Sequence, residues 1–156
     1  MKTIIIAAMA ANHVIGRNGQ IPWHYSSDMR QFNQTTMGFP CVMGRRTYES
    51  FPRRPLPGRQ NIVLTRSAGY QVAAGVKICA GLAEATTWCE DLAVEKIFIL
   101  GGEEVYRLAL AYCHGIYLTQ LKREYDGDVY FLEFEGRFER REDIFENEDF
   151  TVTYWV

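Results

Sequence analysis

Residues 97–106 read Ile97-Phe98-Ile99-Leu100-Gly101-Gly102-Glu103-Glu104-Val105-Tyr106. Four apolar residues suited to a buried strand run into two glycines, and a helical pattern begins at the glutamates. Glycine lets a backbone approach a ligand closely, and a helix start offers unpaired N–H groups to an anion. The stretch is not G-x-G-x-x-G and carries no P-loop lysine, so neither fingerprint applies. Taken alone, two glycines are more plainly a tight turn.

The same grammar recurs. Val42-Met43-Gly44-Arg45-Arg46-Thr47 is again strand, glycine, helix start. Cations there oppose the helix dipole, so Arg45 and Arg46 are poorly placed for stability unless an anion sits beside them. Leu64-Thr65-Arg66 ends a third strand with a hydroxyl and a guanidinium. Three such strand ends favour a polyphosphate ligand, and a bidentate Arg66 on an extra phosphate favours NADP over NAD.

Outward from these junctions, short apolar runs alternate with short helical patterns. Strands are expected at Ile4–Ala10, Pro40–Met43, Asn61–Thr65, Val76–Cys79 and Ile97–Leu100. Helices are expected at Ser27–Thr36, Arg45–Phe51, Leu82–Glu90 and Glu103–Leu110. Gly115–Leu121, Tyr130–Phe134, Glu139–Phe145 and Phe150–Trp155 read as further strands, the last three antiparallel. The fold class is therefore α/β: a mostly parallel central sheet of about eight strands, ending in a C-terminal antiparallel pair and flanked by about four helices. Such a sheet places ligands at the carboxyl ends of its strands.

The chain has 156 residues, 47% of them apolar, enough for one domain over 1–156 with a sizeable core. A net charge of −2 excludes a globally basic, nucleic-acid-coating protein. That total hides an uneven spread. Residues 41–66 carry six arginines against one acid, Glu49, while residues 124–149 carry eleven acids against three arginines. The basic segment points to a small anionic ligand or to a solvated face, and the acidic end to a solvated face.

Cys41, Cys79, Cys89 and Cys113 show no paired spacing, and His13, His24 and His114 do not cluster with them as a zinc site requires. No metal is expected. The thiols read as reduced, mostly buried small hydrophobes of a cytoplasmic protein. Lys2 followed by the apolar residues 4–11 mimics a short signal peptide, but a buried strand explains it better. No run approaches a bilayer span.

Ile21-Pro22-Trp23-His24-Tyr25-Ser26-Ser27-Asp28 leads into an amphipathic helix carrying Met29 and Phe32. The serines suit capping, and Asp28 falls in the first turn. There it is either a dipole-stabilising acid or a lone carboxylate in an apolar pocket, its pKa raised by desolvation. Spacing leaves both open. His24 reads as a loop residue, and no nearby Ser or Cys nucleophile supports acyl transfer.

Together these residues resemble dihydrofolate reductase over nearly the whole chain. The likeness runs through Val14-Ile15-Gly16, Ile21-Pro22-Trp23 with Asp28, Val42-Met43-Gly44-Arg45 with Thr47, and Leu56-Pro57-Gly58-Arg59. It continues through Ile62-Val63-Leu64-Thr65-Arg66, Gly101-Gly102 with Tyr106, Tyr117-Leu118-Thr119 and Gly127-Asp128 with Phe131. The resemblance implies NADPH-dependent reduction of 7,8-dihydrofolate to tetrahydrofolate within one-carbon metabolism, by a monomer open to antifolate inhibitors.

It further implies that Asp28 binds the pterin's 2-amino group and N3, with Trp23 and Thr119 assisting and Tyr106 at the catalytic centre. Ile6, Met29, Phe32, Phe51, Leu56 and Leu100 would wall the substrate, and Arg59 would clamp its glutamate carboxylate. Ala8 and Ile15 would hold the nicotinamide carboxamide, with Gly16, Asn18 and Gly19 beside them. Gly44, Arg45, Arg46, Thr47, Gly101, Gly102, Glu103, Glu104, Val105 and Tyr106 would cradle the pyrophosphate side. Leu64, Thr65 and Arg66 would flank the adenosine 2′-phosphate. Asn12–His24 resembles the family's mobile active-site loop.

Three departures stand out. Ser26-Ser27 replace the family's proline-containing pair, Leu132 stands where the family usually has a proline, and Pro52-Arg53-Arg54 is one residue longer than in compact bacterial members. The rival readings are another NADPH-dependent reductase on this fold, such as that of riboflavin biosynthesis, a non-catalytic NADP- or folate-binding module, and a nucleic-acid site on the arginine cluster. The last lacks interleaved stacking aromatics.

Overall fold

A computed structural model describes residues 1–156. Strands β1 (Lys2–Met9), β3 (Cys41–Gly44), β4 (Asn61–Leu64), β5 (Lys77–Cys79), β6 (Lys96–Ile99) and β7 (Gly115–Leu121) are joined by β10 (Phe150–Trp155) and β9 (Arg141–Glu146). They form one eight-stranded sheet in the order β5-β4-β3-β6-β1-β7-β10-β9. Pairings are parallel from β5 to β7; β10 then runs antiparallel to β7, and β9 antiparallel to β10. Four helices flank it: α1 (Ser26–Thr36), α2 (Arg45–Ser50), α3 (Leu82–Glu90) and α4 (Glu103–Leu110). The fold class read from the sequence therefore holds, with boundaries moved by one or two residues.

Side chains alternate across a strand, and both faces of this sheet are covered, which is why its strands read as continuous apolar runs. Ile5, Ala7, Met9, Val42, Ile62, Ile97 and Ile99 pack toward α3 and α4, where Leu82, Ala85, Val105, Tyr106 and Ala109 meet them. Ile4, Cys41, Met43, Val63, Phe98 and Leu100 form the opposite core with Tyr48 of α2, joined by Phe32 of α1. Cys41, Cys79 and Cys89 are buried and Cys113 half-buried, all four free. No helix is long and apolar enough to cross a membrane.

Three local readings need correction. The strand expected at Tyr130–Phe134 shrinks to β8 (Val129–Tyr130), which pairs antiparallel with a short β2 (Val14–Gly16) in a separate two-stranded sheet. Phe131 and Phe134 are both buried in one cluster, their rings 5.7 Å apart. A spacing of three cannot place both on one face of a strand, so the chain turns there and continues into a 3-10 turn at Glu135–Arg137. The second concerns segment 12–24, expected to resemble a mobile active-site loop, which contains the short paired strand β2. Third, Ser26 and Ser27 do not cap α1. They sit inside its first turn, the N-cap is Tyr25, and no side chain caps the helix.

The acidic end is a solvated edge. On β9, Arg141 pairs with Asp143 at 3.1 Å, and Lys122 reaches Glu146 at 3.1 Å, all well exposed. Such pairs contribute little stability, but charge along an edge strand discourages pairing with another chain.

Candidate active site

The carboxyl ends of β1, β3, β6 and β7 converge beside one another, where the strand order turns back on itself. The two glycine junctions meet there: Gly44 donates its N–H to the carbonyl of Gly101 at 2.8 Å. Gly101 adopts φ +107°, and a Cβ added to it would lie 2.9 Å from the Tyr106 ring, so glycine is required on both counts. The Tyr106 hydroxyl lies 2.8 Å from the carbonyl of Ile6 and 2.9 Å from that of Leu100, donating between the ends of β1 and β6. Burial raises its phenol well above the usual range, keeping it a donor.

A cleft of about 640 Å³ opens from this point. Of the residues expected to hold a cofactor, Ala8, Ile15, Gly16, Gly19, Gly44, Arg45, Arg46, Thr47, Gly102, Glu103, Glu104, Val105 and Tyr106 line it. Helix α4 has no side-chain cap, so its first N–H groups remain available at the cleft floor. Glu103 is turned along its helix to Arg107, 2.9 Å away, which reduces its opposition to an anion. Arg45 finds a local partner as well: Glu49 lies 3.4 Å away and the Tyr70 ring centroid 4.3 Å. The conflict read at that helix start is thus partly relieved by the chain itself.

The residues present fit a dinucleotide phosphate: an uncapped helix start, glycine backbone and the guanidiniums of Arg45 and Arg46. Asn18 lines an adjoining hollow with Arg46 and Glu49. Its N–H points to Asp128 at 3.3 Å, while the Asp128 N–H bonds Gly16 at 3.0 Å, pinning the loop to the start of β8. Leu64, Thr65, Arg66 and Gly101 do not line the cleft, although Arg66 is exposed at the end of β4.

An apolar cavity of about 110 Å³ abuts the cleft, sharing Ala8, Ile21, Thr47, Ser50, Leu100 and Tyr106 with it. Ile6, Met29, Phe32, Phe51 and Leu100 line it, and Asp28 is the one carboxylate in the wall. Phe32 and Phe51 stack at 6.0 Å with planes 21° apart, presenting a flat apolar wall. Burial raises the Asp28 carboxyl above the usual carboxylate range, and bonding from the Thr119 hydroxyl offsets this in part. Asp28 thus lies in the first turn of α1 and lines the cavity at once.

Three expected substrate-side residues sit outside the cavity wall. Arg59 spans from α1 to the Pro57 turn: its Nη1 donates to Asn33 Oδ1 at 2.9 Å and Thr36 Oγ1 at 3.0 Å, and Nε to the Pro57 carbonyl at 2.9 Å. Its guanidinium lies 5.7 Å from the Phe32 ring centroid, at the cavity's rim. Leu56 is buried in the core, its N–H bonded to Asn61 Oδ1 at 2.8 Å. Trp23 packs tilted against Tyr125, ring centroids 5.3 Å apart. Arg54 is structural: its Nη1 donates to the carbonyls of Glu49 and Phe51 at the C-terminal end of α2.

Sequence reading missed Gln20, Ile21, Ser50, Asp128 and Val129 in the cleft, and Gln31, Thr35, Tyr117 and Val152 in the cavity. Tyr117 was within reach, because residues two apart on a strand share a face and Thr119 was already chosen. Val152 enters through cross-strand register with Thr119, which no local pattern reveals.

Comparison with known proteins identifies the family and supports the fold. A family model described as dihydrofolate reductase matches residues 2–155. Dihydrofolate reductase type 3 of Salmonella typhimurium is 42% identical over 130 residues, 83% of this chain and 78% of that protein. The dihydrofolate reductase of Neisseria gonorrhoeae is 39% identical over 135 residues, covering 86% and 82%. A solved dihydrofolate reductase from Enterococcus faecalis, complexed with NADP(H) and RAB-propyl, superposes with a TM-score of 0.82 at 27% identity, over 99% of this chain and 94% of that one.

Proposed function

The chain belongs to the dihydrofolate reductase family, and from that premise we propose how its residues divide the labour of the reaction. The reaction is the NADPH-dependent reduction of 7,8-dihydrofolate to 5,6,7,8-tetrahydrofolate. Hydride is added at C6 of the pterin and a proton at N5. When bound, NADPH supplies the hydride, and the protein supplies orientation, electrostatics and exclusion of water.

In this reading residues 1–156 act as one domain. Asp28 holds the pterin's 2-amino group and N3, and Thr119 holds Asp28. The proton for N5 arrives from water, while the Asp28 carboxylate polarises the ring. Ile6, Met29, Phe32, Phe51 and Leu100 exclude other water from the reacting face. Arg59 takes the substrate's glutamate carboxylate with Nη2, since Nη1 and Nε are already engaged. Arg45, Arg46 and Thr47, with the start of α4, hold phosphate oxygens, and Arg66 the 2′-phosphate. Ala8 and Ile15 hold the carboxamide through their backbones. Tyr106 keeps the ends of β1 and β6 aligned. Four free thiols, three of them buried, support a cytoplasmic site of action.

The observation that carries this division is the abutment of the two cavities. One is lined by glycine backbone and arginines and the other by apolar walls around a single carboxylate, and they share the six residues at which donor and acceptor would meet. Two orthogonal variants test it. Arg46→Gln is expected to raise KM for NADPH about ten-fold and leave KM for dihydrofolate within two-fold, the cost of one charge-assisted phosphate contact. Arg59→Gln is expected to do the reverse. Steady-state kinetics with each ligand varied in turn reads both, and a swapped or shared effect would refute the assignment.

A further inference from the structure

The first turn of α1 carries Asp28, yet no side chain caps that helix. Its first turn is therefore held by backbone bonds to the residue before it. That residue is Tyr25, in extended conformation with φ −128° and ψ 119°. Its carbonyl accepts the N–H of Asp28 at 3.1 Å and that of Met29 at 3.2 Å. Wherever Tyr25 goes, Asp28 follows.

The Tyr25 side chain is held at two points. Its ring packs edge-on against Phe150 of β10, with centroids 6.3 Å apart. Its hydroxyl lies 2.7 Å from the hydroxyl of Tyr125, one donating and the other accepting. Tyr125 stands four residues beyond the end of β7, the strand that carries Thr119. Tyr125 is itself fixed: the Asn12 side chain accepts its N–H at 3.3 Å and donates to its carbonyl at 2.9 Å. Trp23 lies against the Tyr125 ring, and the Arg123 guanidinium is 5.2 Å from the ring centroid. Segment 12–25 thus returns to Tyr125 at both of its ends.

Asp28 hangs from Tyr25 and Thr119 leads to Tyr125, while Asp28 and Thr119 face each other in the cavity. We propose that the Tyr25–Tyr125 hydroxyl pair is a cross-brace that sets Asp28 against Thr119, making both tyrosines positioning residues for the reduction. This rests on the reading of Asp28 given above. The brace joins residues 100 apart in sequence through a single bond. It acts on the geometry of the reacting complex, because displacement of a catalytic group by a fraction of an ångström lowers turnover more than binding. The Tyr25 phenol is pushed up to about 12, first by its bond to Tyr125 and then by burial, so the pair is intact at neutral pH.

Tyr25→Phe and Tyr125→Phe keep both rings and remove only the bond. The test compares the single-turnover hydride-transfer rate, KM for dihydrofolate and Tm in the wild type, both single variants, the double variant and Asp28→Asn. Each single variant is expected to lose about five-fold in hydride-transfer rate, the equivalent of one neutral hydrogen bond. The double variant should lose the same five-fold, because both changes remove one interaction. KM for dihydrofolate should stay within two-fold. Unchanged rates in the single variants overturn the brace, and so does a double variant that multiplies the losses to about 25-fold. A fall in Tm without a fall in rate overturns it too, as a purely structural contact. If Asp28→Asn is inactive while the tyrosine variants are wild-type, only the brace fails. If Asp28→Asn is fully active, the reading of Asp28 fails and the brace with it.

Discussion

Asp28→Asn is expected to lower kcat about a thousand-fold at pH 7, in the middle of the range for loss of an acid–base group. KM for dihydrofolate should change far less. The amide keeps the shape of the carboxylate and can still accept from Thr119, so the pterin retains its seat. What disappears is the negative charge beside the ring, in a wall that is mostly apolar and holds no other charged residue. The same substitution should raise stability at pH 7, and the sign follows from linkage. Burial raises the folded-state pKa of Asp28 above its ordinary value of 3.8, so the folded protein binds this proton more tightly than the unfolded chain. Ionising the group therefore costs stability, progressively as pH rises from 3.8 through the folded value and in full above it. Asparagine never ionises. Its Tm should exceed that of the wild type at pH 7, and the gap should close as pH falls toward 3.8. Steady-state kinetics and thermal melts across this range read both effects. A variant that turned over normally would remove Asp28 from the chemistry, and one that melted lower at pH 7 would refute the cost of its buried charge.

That opposition of stability and activity also explains which parts of the site a sequence discloses. Strand, glycine, helix start is a local grammar, so the junctions at Gly44 and Gly101 could be read from a few residues each, and the fold places them side by side. Asp28 could be seen but not assigned, because its neighbours in the cavity arrive from β1, α2, β6 and β7. Capping was misread for a related reason: Ser26 and Ser27 have the right chemistry, but Tyr25 is held from the far side by Tyr125, and that contact fixes where the helix begins. Arg59 and Ala8 were reached only through family resemblance, since nothing in their own spacing marks them. Trp23, reached on the same ground, packs on Tyr125 and lies outside the cavity wall.

Gly101→Ala is expected to cost about 3 kcal/mol of stability and to lower kcat/KM by about a hundred-fold. Two penalties combine. A residue with a side chain at φ +107° bears the left-handed cost of about 1–2 kcal/mol. The added methyl would also meet Tyr106 Cε2 and Cζ at 2.9 Å, an overpacking typically worth about 1–3 kcal/mol. The ring has nowhere simple to move. Its hydroxyl bonds the ends of β1 and β6, and its edge packs on Phe131 with centroids 5.5 Å apart. If Tyr106 yields, the bonds to Ile6 and Leu100 loosen, and those two residues wall the cavity. If the backbone yields, the Gly44–Gly101 bond opens and the cleft floor shifts. Either response misaligns the two cavities where they abut, and a shift of about 1 Å there is enough for the stated loss of activity. For a chain of this length about 3 kcal/mol corresponds to a fall in Tm of roughly 6–12 °C. Gly102→Ala is the control. Gly102 has φ −80°, and its added methyl would meet only Thr47 Oγ1 at 3.5 Å, an ordinary contact, although it would project into the cleft. Gly102→Ala should therefore melt close to the wild type and raise KM for NADPH, whereas Gly101→Ala loses stability and turnover together. Equal melting temperatures for the two variants would show that Tyr106 is not the fixed point around which the paired cavities are built.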